Sequence, residues 1–162
     1  MPDFLLCKNR YPHLKGEKMK RENELEISIN TYPIVLCRTI LPTDTKAEKK
    51  SKNKKQFINL RTSTLNVKDS GKEYCIIAHK DYCFDGATIP FGIGKGNMKL
   101  LIPALFHDIM CDNKAVVNYD RYLSSLVFKR LLLMCGVPKM KANLMYGCVD
   151  NYQKLFGNWR KK

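Results

Sequence analysis

The chain has 162 residues, 44% of them hydrophobic, and a formal net charge of +14 at pH 7. This length and apolar fraction suit one domain with a substantial core, so we predict a single domain over residues 1–162. No apolar run reaches the roughly 20 residues that a membrane-spanning helix needs, and the first residues lack the basic and then apolar order of a signal peptide. The seven cysteines are irregularly spaced without a CxxC pair, which favours reduced thiols over disulfides or a zinc-thiolate site.

The first half of the chain is predicted to be mainly β, over residues 1–90. Leu25, Ile27 and Ile29 alternate with polar residues, which is the pattern of a half-buried strand. The β-branched segment YPIVLCRTIL follows, and QFINLRTSTLNV resumes the alternation. The DSG sequence at residues 69–71 indicates a turn before EYCIIAHKDYCF, which is predicted to be one more strand or a short hairpin.

A lysine run at residues 46–55, KAEKKSKNKK, separates two of these strand-like segments and has six lysines and one acid. Because it lacks apolar anchors and interleaved aromatic residues, it is predicted to be an exposed hairpin loop, mobile in the free protein. Its charge also makes it a candidate polyanion-binding segment for DNA or an acidic protein. The lysines assigned to this role are Lys49, Lys50, Lys52, Lys54 and Lys55.

The second half is predicted to be helical over residues 98–157. The first helix spans about 98–111, and the second is expected from an N-cap at Asn118 to about Cys135. The third helix follows Pro138 and has an apolar stripe that comprises Ala142, Met145, Val149, Tyr152 and Phe156. The predicted fold class is α+β, with a small N-terminal antiparallel β-sheet followed by a three-helix C-terminal unit.

A polar group falls where the first two helices are expected to meet. His107 and Asp108 lie near the end of the first helix, and Asp120 heads the apolar stripe of the second. Asp85 precedes a glycine where the last strand ends. Because the connection between the helices is short, we expect Asp85, His107 and Asp120 to converge, and we take Asp85, His107, Asp108 and Asp120 as candidate catalytic residues. The helix macrodipole alone also favours an acid at an N-terminus and a histidine at a C-terminus, so a structural role stays open.

Three kinds of chemistry fit this group. His107, Asp108 and Asp120 are candidate ligands for a divalent ion such as Mg²⁺, Mn²⁺, Zn²⁺ or Ca²⁺, which would activate water for hydrolysis. A metal-free alternative uses His107 as a general base that Asp120 orients. In the third interpretation, the residues form a buried polar network that fixes the preceding loop onto the helices.

The same positions resemble an uncharacterised tailed-phage or prophage domain family. DGATIP at residues 85–90, HD at 107–108, the downstream Asp120 and MY at 145–146 follow its pattern, over roughly residues 74–157. The departures are Phe91, Cys111 and Tyr119, which stand where arginine, tyrosine and alanine are usual. The resemblance implies a phage or prophage origin and does not imply a reaction.

We therefore predict a phage-encoded, virion-associated structural or assembly protein of the neck, tail or capsid. Its expected partners are other phage structural proteins, with a DNA contact through the basic run and no membrane span. One alternative is a hydrolase, metal-dependent or using a His/Asp general base, that acts on a cell-envelope or phosphate-ester substrate. A second alternative is a basic nucleic-acid-binding accessory protein. The expected location is the virion or the host cytoplasm.

Overall fold

The computed structural model describes residues 20–86, 98–113 and 120–156. The strands are β1 (Glu26–Thr31), β2 (Val35–Cys37), β3 (Phe57–Asn59), β4 (Ser63–Asp69), β5 (Lys72–Ala78) and β6 (Cys83–Phe84). The helices are α1 (residues 20–24), α2 (Lys46–Lys54), α3 (Leu101–Asp112), α4 (Arg121–Met134) and α5 (Lys139–Phe156), and a 3₁₀ turn (Met98–Leu100) leads into α3. The predicted α+β class is confirmed, with antiparallel strands in the first half and the three long helices in the second.

The strands form two antiparallel sheets and not the single small sheet that was predicted. The first sheet has the order β1-β4-β5 and the second has the order β2-β3-β6. The DSG turn is confirmed, because it joins β4 to β5 with Ser70 and Gly71 at φ 50° and 80°. Two successive residues in the left-handed region give the backbone twist that a tight hairpin needs.

One apolar core joins the β-rich half to the helical half. The first sheet contributes alternate residues of β4 and β5, including Leu65, Val67 and Ile76, because successive strand residues face opposite sides of a sheet. Leu105 of α3 and Leu126 of α4 complete the same cluster and are fully buried. A second apolar cluster forms where α4 packs on α5, from residues that include Leu100, Phe128, Leu132, Ala142 and Met145.

The lysine run is a helix, so the prediction of a loop was wrong. The Thr45 hydroxyl accepts a hydrogen bond from the Glu48 backbone N–H, and the Glu48 carboxylate accepts one from the Thr45 N–H, which together form a capping box. Lysine, alanine and glutamate also favour the helix intrinsically. Two parts of the prediction hold: α2 connects a pair of antiparallel strands, β2 and β3, and none of its residues is buried.

The helix boundaries differ from the prediction mainly at the start of α4. Its N-cap is Asp120, whereas the predicted cap, Asn118, lies outside the described residues. Gly136, at φ 79°, follows the end of α4 as expected for a helix stop. On the predicted stripe of α5, Ala142 and Met145 are buried and Tyr152 and Phe156 are exposed, so the stripe meets the core only in its N-terminal part.

Two expectations from composition can be compared with the described part of the chain. None of the described helices combines the length and the apolar character that crossing a bilayer requires. The six cysteines in the described ranges form no disulfide with one another.

Candidate functional site

Asp120 serves as the N-cap of α4. Its carboxylate accepts hydrogen bonds from the Leu123 backbone N–H at 2.6 Å and from Arg21 Nη1 at 2.8 Å, and 56% of its side chain is exposed. Within the described ranges, no hydrogen bond or ion pair joins Asp120 to His107, so the predicted contact between them is not formed. The reason is local: Asp120 has an extended backbone (φ −86°, ψ 164°), and the helical spacing that aligned it with the apolar stripe does not apply to a cap.

Arg21, which the sequence analysis did not single out, joins three elements. Its Nε donates to both oxygens of Asp69 at 2.9 and 3.0 Å, its Nη2 donates to Asp69 Oδ2 at 2.5 Å, and its Nη1 reaches Asp120. Asp69 ends β4 and is 3% exposed, so the guanidinium compensates a buried charge. These hydrogen bonds, with that of Asp69 the strongest, raise the pKa of Arg21. Arg21 therefore ties α1 to the first sheet and to α4.

Asp108 and Asp85 form the part of the predicted group that the structure brings together. Their carboxyl groups share a hydrogen bond, although one belongs to α3 and the other follows β6. Burial of Asp108, and then repulsion from Asp85, that hydrogen bond and repulsion from Asp112, raise the pKa of Asp108 well above its ordinary value. Two carboxyl groups in hydrogen-bond contact cannot both be ionised cheaply, because their charges repel each other.

Tyr82 and Asp112 extend this pair into an acidic cluster of Asp85, Asp108, Asp112 and Tyr82. The Tyr82 hydroxyl donates to Asp112 Oδ2 at 2.6 Å, and burial together with this hydrogen bond raises the pKa of Tyr82. Lys55 lies with its Nζ 5.8 Å from the centre of the Tyr82 ring, and its charge favours the ionised form of Asp108. The Lys55 cation thus offsets part of the repulsion among these acids.

His107 is buried between α3 and α4. Its ring centre lies 5.2 Å from that of Phe128, and its Nδ1 lies 3.9 Å from Asp108 Oδ1. Cys111 Sγ is 3.9 Å from Nδ1 and 3.7 Å from Nε2. The sulfur is thus nearly equidistant from the two ring nitrogens.

The predicted metal ligands do not form a cluster. Across residues 20–86, 98–113 and 120–156, no group of three or more His, Cys, Asp and Glu side chains is arranged to hold a metal ion. Of the three proposed ligands, Asp120 is paired with a guanidinium, whereas His107 and Asp108 lie beside each other on α3. Residues 87–90 of the DGATIP segment lie outside the described part of the chain.

The five lysines proposed to bind polyanions are not equivalent in the structure. Lys52 pairs with Asp44 at 2.8 Å and donates to the Thr39 carbonyl, and Lys49 donates to the Pro42 carbonyl at 3.4 Å. Lys50 and Lys54 are exposed, and neither forms an ion pair with a described residue. The predicted set of five is thus reduced, because two members hold α2 against residues 39–44.

Comparison of the chain with protein-family models, with curated proteins and with solved structures finds no match. The resemblance of the DGATIP, HD and MY positions to a phage domain family therefore stays a prediction.

Proposed function

We propose that this chain is a virion-associated structural or assembly protein of a tailed phage, acting in the neck, tail or capsid. The phage assignment is based on the DGATIP, HD and MY resemblance. The observation that supports a structural role is that the candidate catalytic residues hold parts of the fold together. Asp120 caps α4 and pairs with Arg21, and Asp108 connects α3 to Asp85 after β6.

The placement of these groups favours a scaffold over a reaction centre. A general base needs a free lone pair directed at a substrate proton, and a metal site needs several convergent ligands. His107 is enclosed by Phe128, Cys111 and Asp108, and it is 8% exposed. A buried polar group with nearby partners contributes to a unique arrangement of the core.

A thermal melt tests this assignment. Replacing His107 with alanine leaves a cavity beside Phe128 and removes a polar neighbour of Asp108, so the variant is expected to lose about 1–3 kcal/mol of stability. Added Mg²⁺, Mn²⁺ or Zn²⁺ is expected to raise the melting midpoint of neither protein. His79→Ala is the matched control, because His79 is exposed. A midpoint that the His107→Ala change leaves untouched, with metal raising only the wild-type midpoint, would favour a metal-dependent enzyme.

One observation favours a second candidate, a hydrolase. Burial and the neighbouring Asp85 raise the pKa of Asp108, and a carboxyl group with a raised pKa is what a general acid requires. If the wild type cleaves purified peptidoglycan or p-nitrophenyl phosphate and a folded Asp108→Asn protein does not, the hydrolase replaces the structural assignment. We expect neither protein to cleave either substrate.

A further inference from the structure

The second sheet has an apolar face that no described residue covers fully. In this sheet Leu36 is opposite Ile58, and Ile58 is opposite Cys83, so the three side chains share a face. Ile34 is two residues before Leu36 and Leu60 is two residues after Ile58. Because side chains two residues apart in a strand face the same side, both lie on this face. Ile34, Leu36 and Leu60 are 42%, 52% and 37% exposed. We call these five residues the outer face. The opposite face, with Phe57 and Phe84, packs into the core.

One edge of the same sheet is open. The sheet order places β2 outermost. The Leu60 N–H donates to the Ile34 carbonyl at 2.7 Å and the Arg38 N–H donates to the Gln56 carbonyl at 2.6 Å. In an antiparallel ladder the bonded residues alternate, so Val35 and Cys37 direct their N–H and C=O groups away from β3. No other strand in the described ranges pairs with this side of β2, and an unpaired edge is a template for another strand.

The lysine-rich helix α2 is anchored next to the end of β2. Lys52 of α2 donates to the carbonyl of Thr39, two residues after β2 ends, and Arg38 Nη1 donates to the Lys55 carbonyl at 3.0 Å. These contacts hold α2 at the C-terminal end of β2. Its exposed lysines without an ion pair among the described residues are Lys46, Lys50 and Lys54.

The net positive charge of the chain favours an acidic partner on this surface over a second copy of the chain. A second copy of the chain would bring together two molecules that each carry +14, which opposes association. An acidic partner is attracted by the same charge. Apolar exposure alone would fit many partners, whereas an apolar face, an open edge and adjacent lysines together fit an extended segment that alternates apolar and acidic residues.

We propose that β2 and the outer face bind an extended acidic segment of another protein, which adds to the second sheet as a fourth strand. Its apolar side chains would cover Leu36 and Ile34, and its carboxylates would pair with lysines of α2. This inference rests on the proposed assembly function and names the class of partner.

A peptide probe tests the open edge. The probe is a fluorescent, acetylated peptide of about ten alternating valines and glutamates, and its control alternates valine and lysine. Fluorescence anisotropy is expected to show binding of the acidic peptide alone. Cys37→Pro removes an outward N–H and leaves the bonds between β2 and β3 intact, so we expect about tenfold weaker binding, whereas Cys37→Ala binds like the wild type.

Two further variants keep the test decisive if Cys37→Pro disturbs the fold. Leu36→Gln alters an exposed side chain of the outer face and is also expected to weaken binding. The double change Lys50→Glu and Lys54→Glu should weaken it, whereas the same charge change made at the exposed Lys139 and Lys154 of α5 should have a much smaller effect.

Three results would overturn the proposal. The first is wild-type affinity in the β2 variants. The second is binding of fluorescent duplex DNA that the Lys50→Glu and Lys54→Glu changes weaken and Cys37→Pro does not affect. This result would identify a nucleic-acid surface. The third is a dimer in analytical ultracentrifugation that Cys37→Pro dissociates, which would make a second copy the occupant. The His107→Ala melt does not involve β2, so failure of the assembly function and failure of this surface are separable.

Discussion

Asp108 differs from two other carboxylates whose pKa values the fold changes. Hydrogen bonds with Lys52 and with the Thr45 N–H lower the pKa values of Asp44 and Glu48, respectively. Asp108 is instead half-buried beside another carboxyl group, that of Asp85, and its pKa is raised. The two kinds of carboxylate therefore have opposite effects on the pH dependence of stability.

We predict that Asp108 makes the protein less stable as the pH rises. Its folded-state pKa lies above the unfolded value of 3.8, so above that pH the folded state binds more protons than the unfolded state, and stability falls as pH increases towards the folded-state pKa. Asp108→Asn removes this titration. The free energy of unfolding of wild type minus that of Asp108→Asn, measured by urea denaturation, should decrease between pH 5 and pH 8.

The control for this experiment is Asp81→Asn, because Asp81 is exposed and its φ of 68° is one that asparagine also adopts readily. The wild type minus Asp81→Asn difference gives the effect of the same substitution at an exposed site and serves as the baseline. A flat difference for Asp108→Asn would mean that Asp108 does not hold a proton in the folded protein.

At the scale of elements, the sequence predicted the strands in which apolar and polar residues alternate and the helices in which apolar residues recur at helical spacing. β1 and the hairpin of β4 and β5 were found from alternation and the DSG turn, because one face of the first sheet is buried. α2 was missed because it buries no residue and so has no apolar stripe. A signal was available in the T-x-x-E sequence of Thr45 and Glu48, which is typical of a helix start.

The capping box predicts how α2 responds to mutation. Thr45→Ala removes the acceptor for the Glu48 N–H and should destabilise the helix by about 1 kcal/mol. Because α2 has no buried side chain, this loss should appear as faster amide hydrogen exchange within residues 46–54, with little change in exchange across β4 and β5. Thr43→Ala, at an exposed position before the cap, should leave these rates unchanged. Equal rates in Thr45→Ala and wild type would show that α2 is held by other contacts.

At the scale of the whole molecule, the contacts that the sequence did not reveal are those between distant residues. Arg21 is 48 residues from Asp69 and 99 from Asp120. Ion pairs also join Glu22 to Lys129 and Arg121 to Asp150. No local pattern marks such partners, since their proximity follows from how α1, the first sheet and the helices pack. Of the candidate residues, Asp85 and Asp108 lie together across such a distance, whereas Asp120 joins the Arg21 network.

Arg21 provides the test of this long-range arrangement. Arg21→Gln leaves Asp69 buried at 3% exposure without its cation, so we expect a loss on the order of 3 kcal/mol in urea denaturation. Asp120→Asn is the matched change at the other end of the network. It should cost less than about 1 kcal/mol, because asparagine is a good N-cap and the pair with Arg21 is largely exposed at Asp120. If Arg21→Gln loses as little stability as is expected for Asp120→Asn, then Asp69 is hydrated or otherwise compensated. Arg21 would then not anchor α1 to the first sheet.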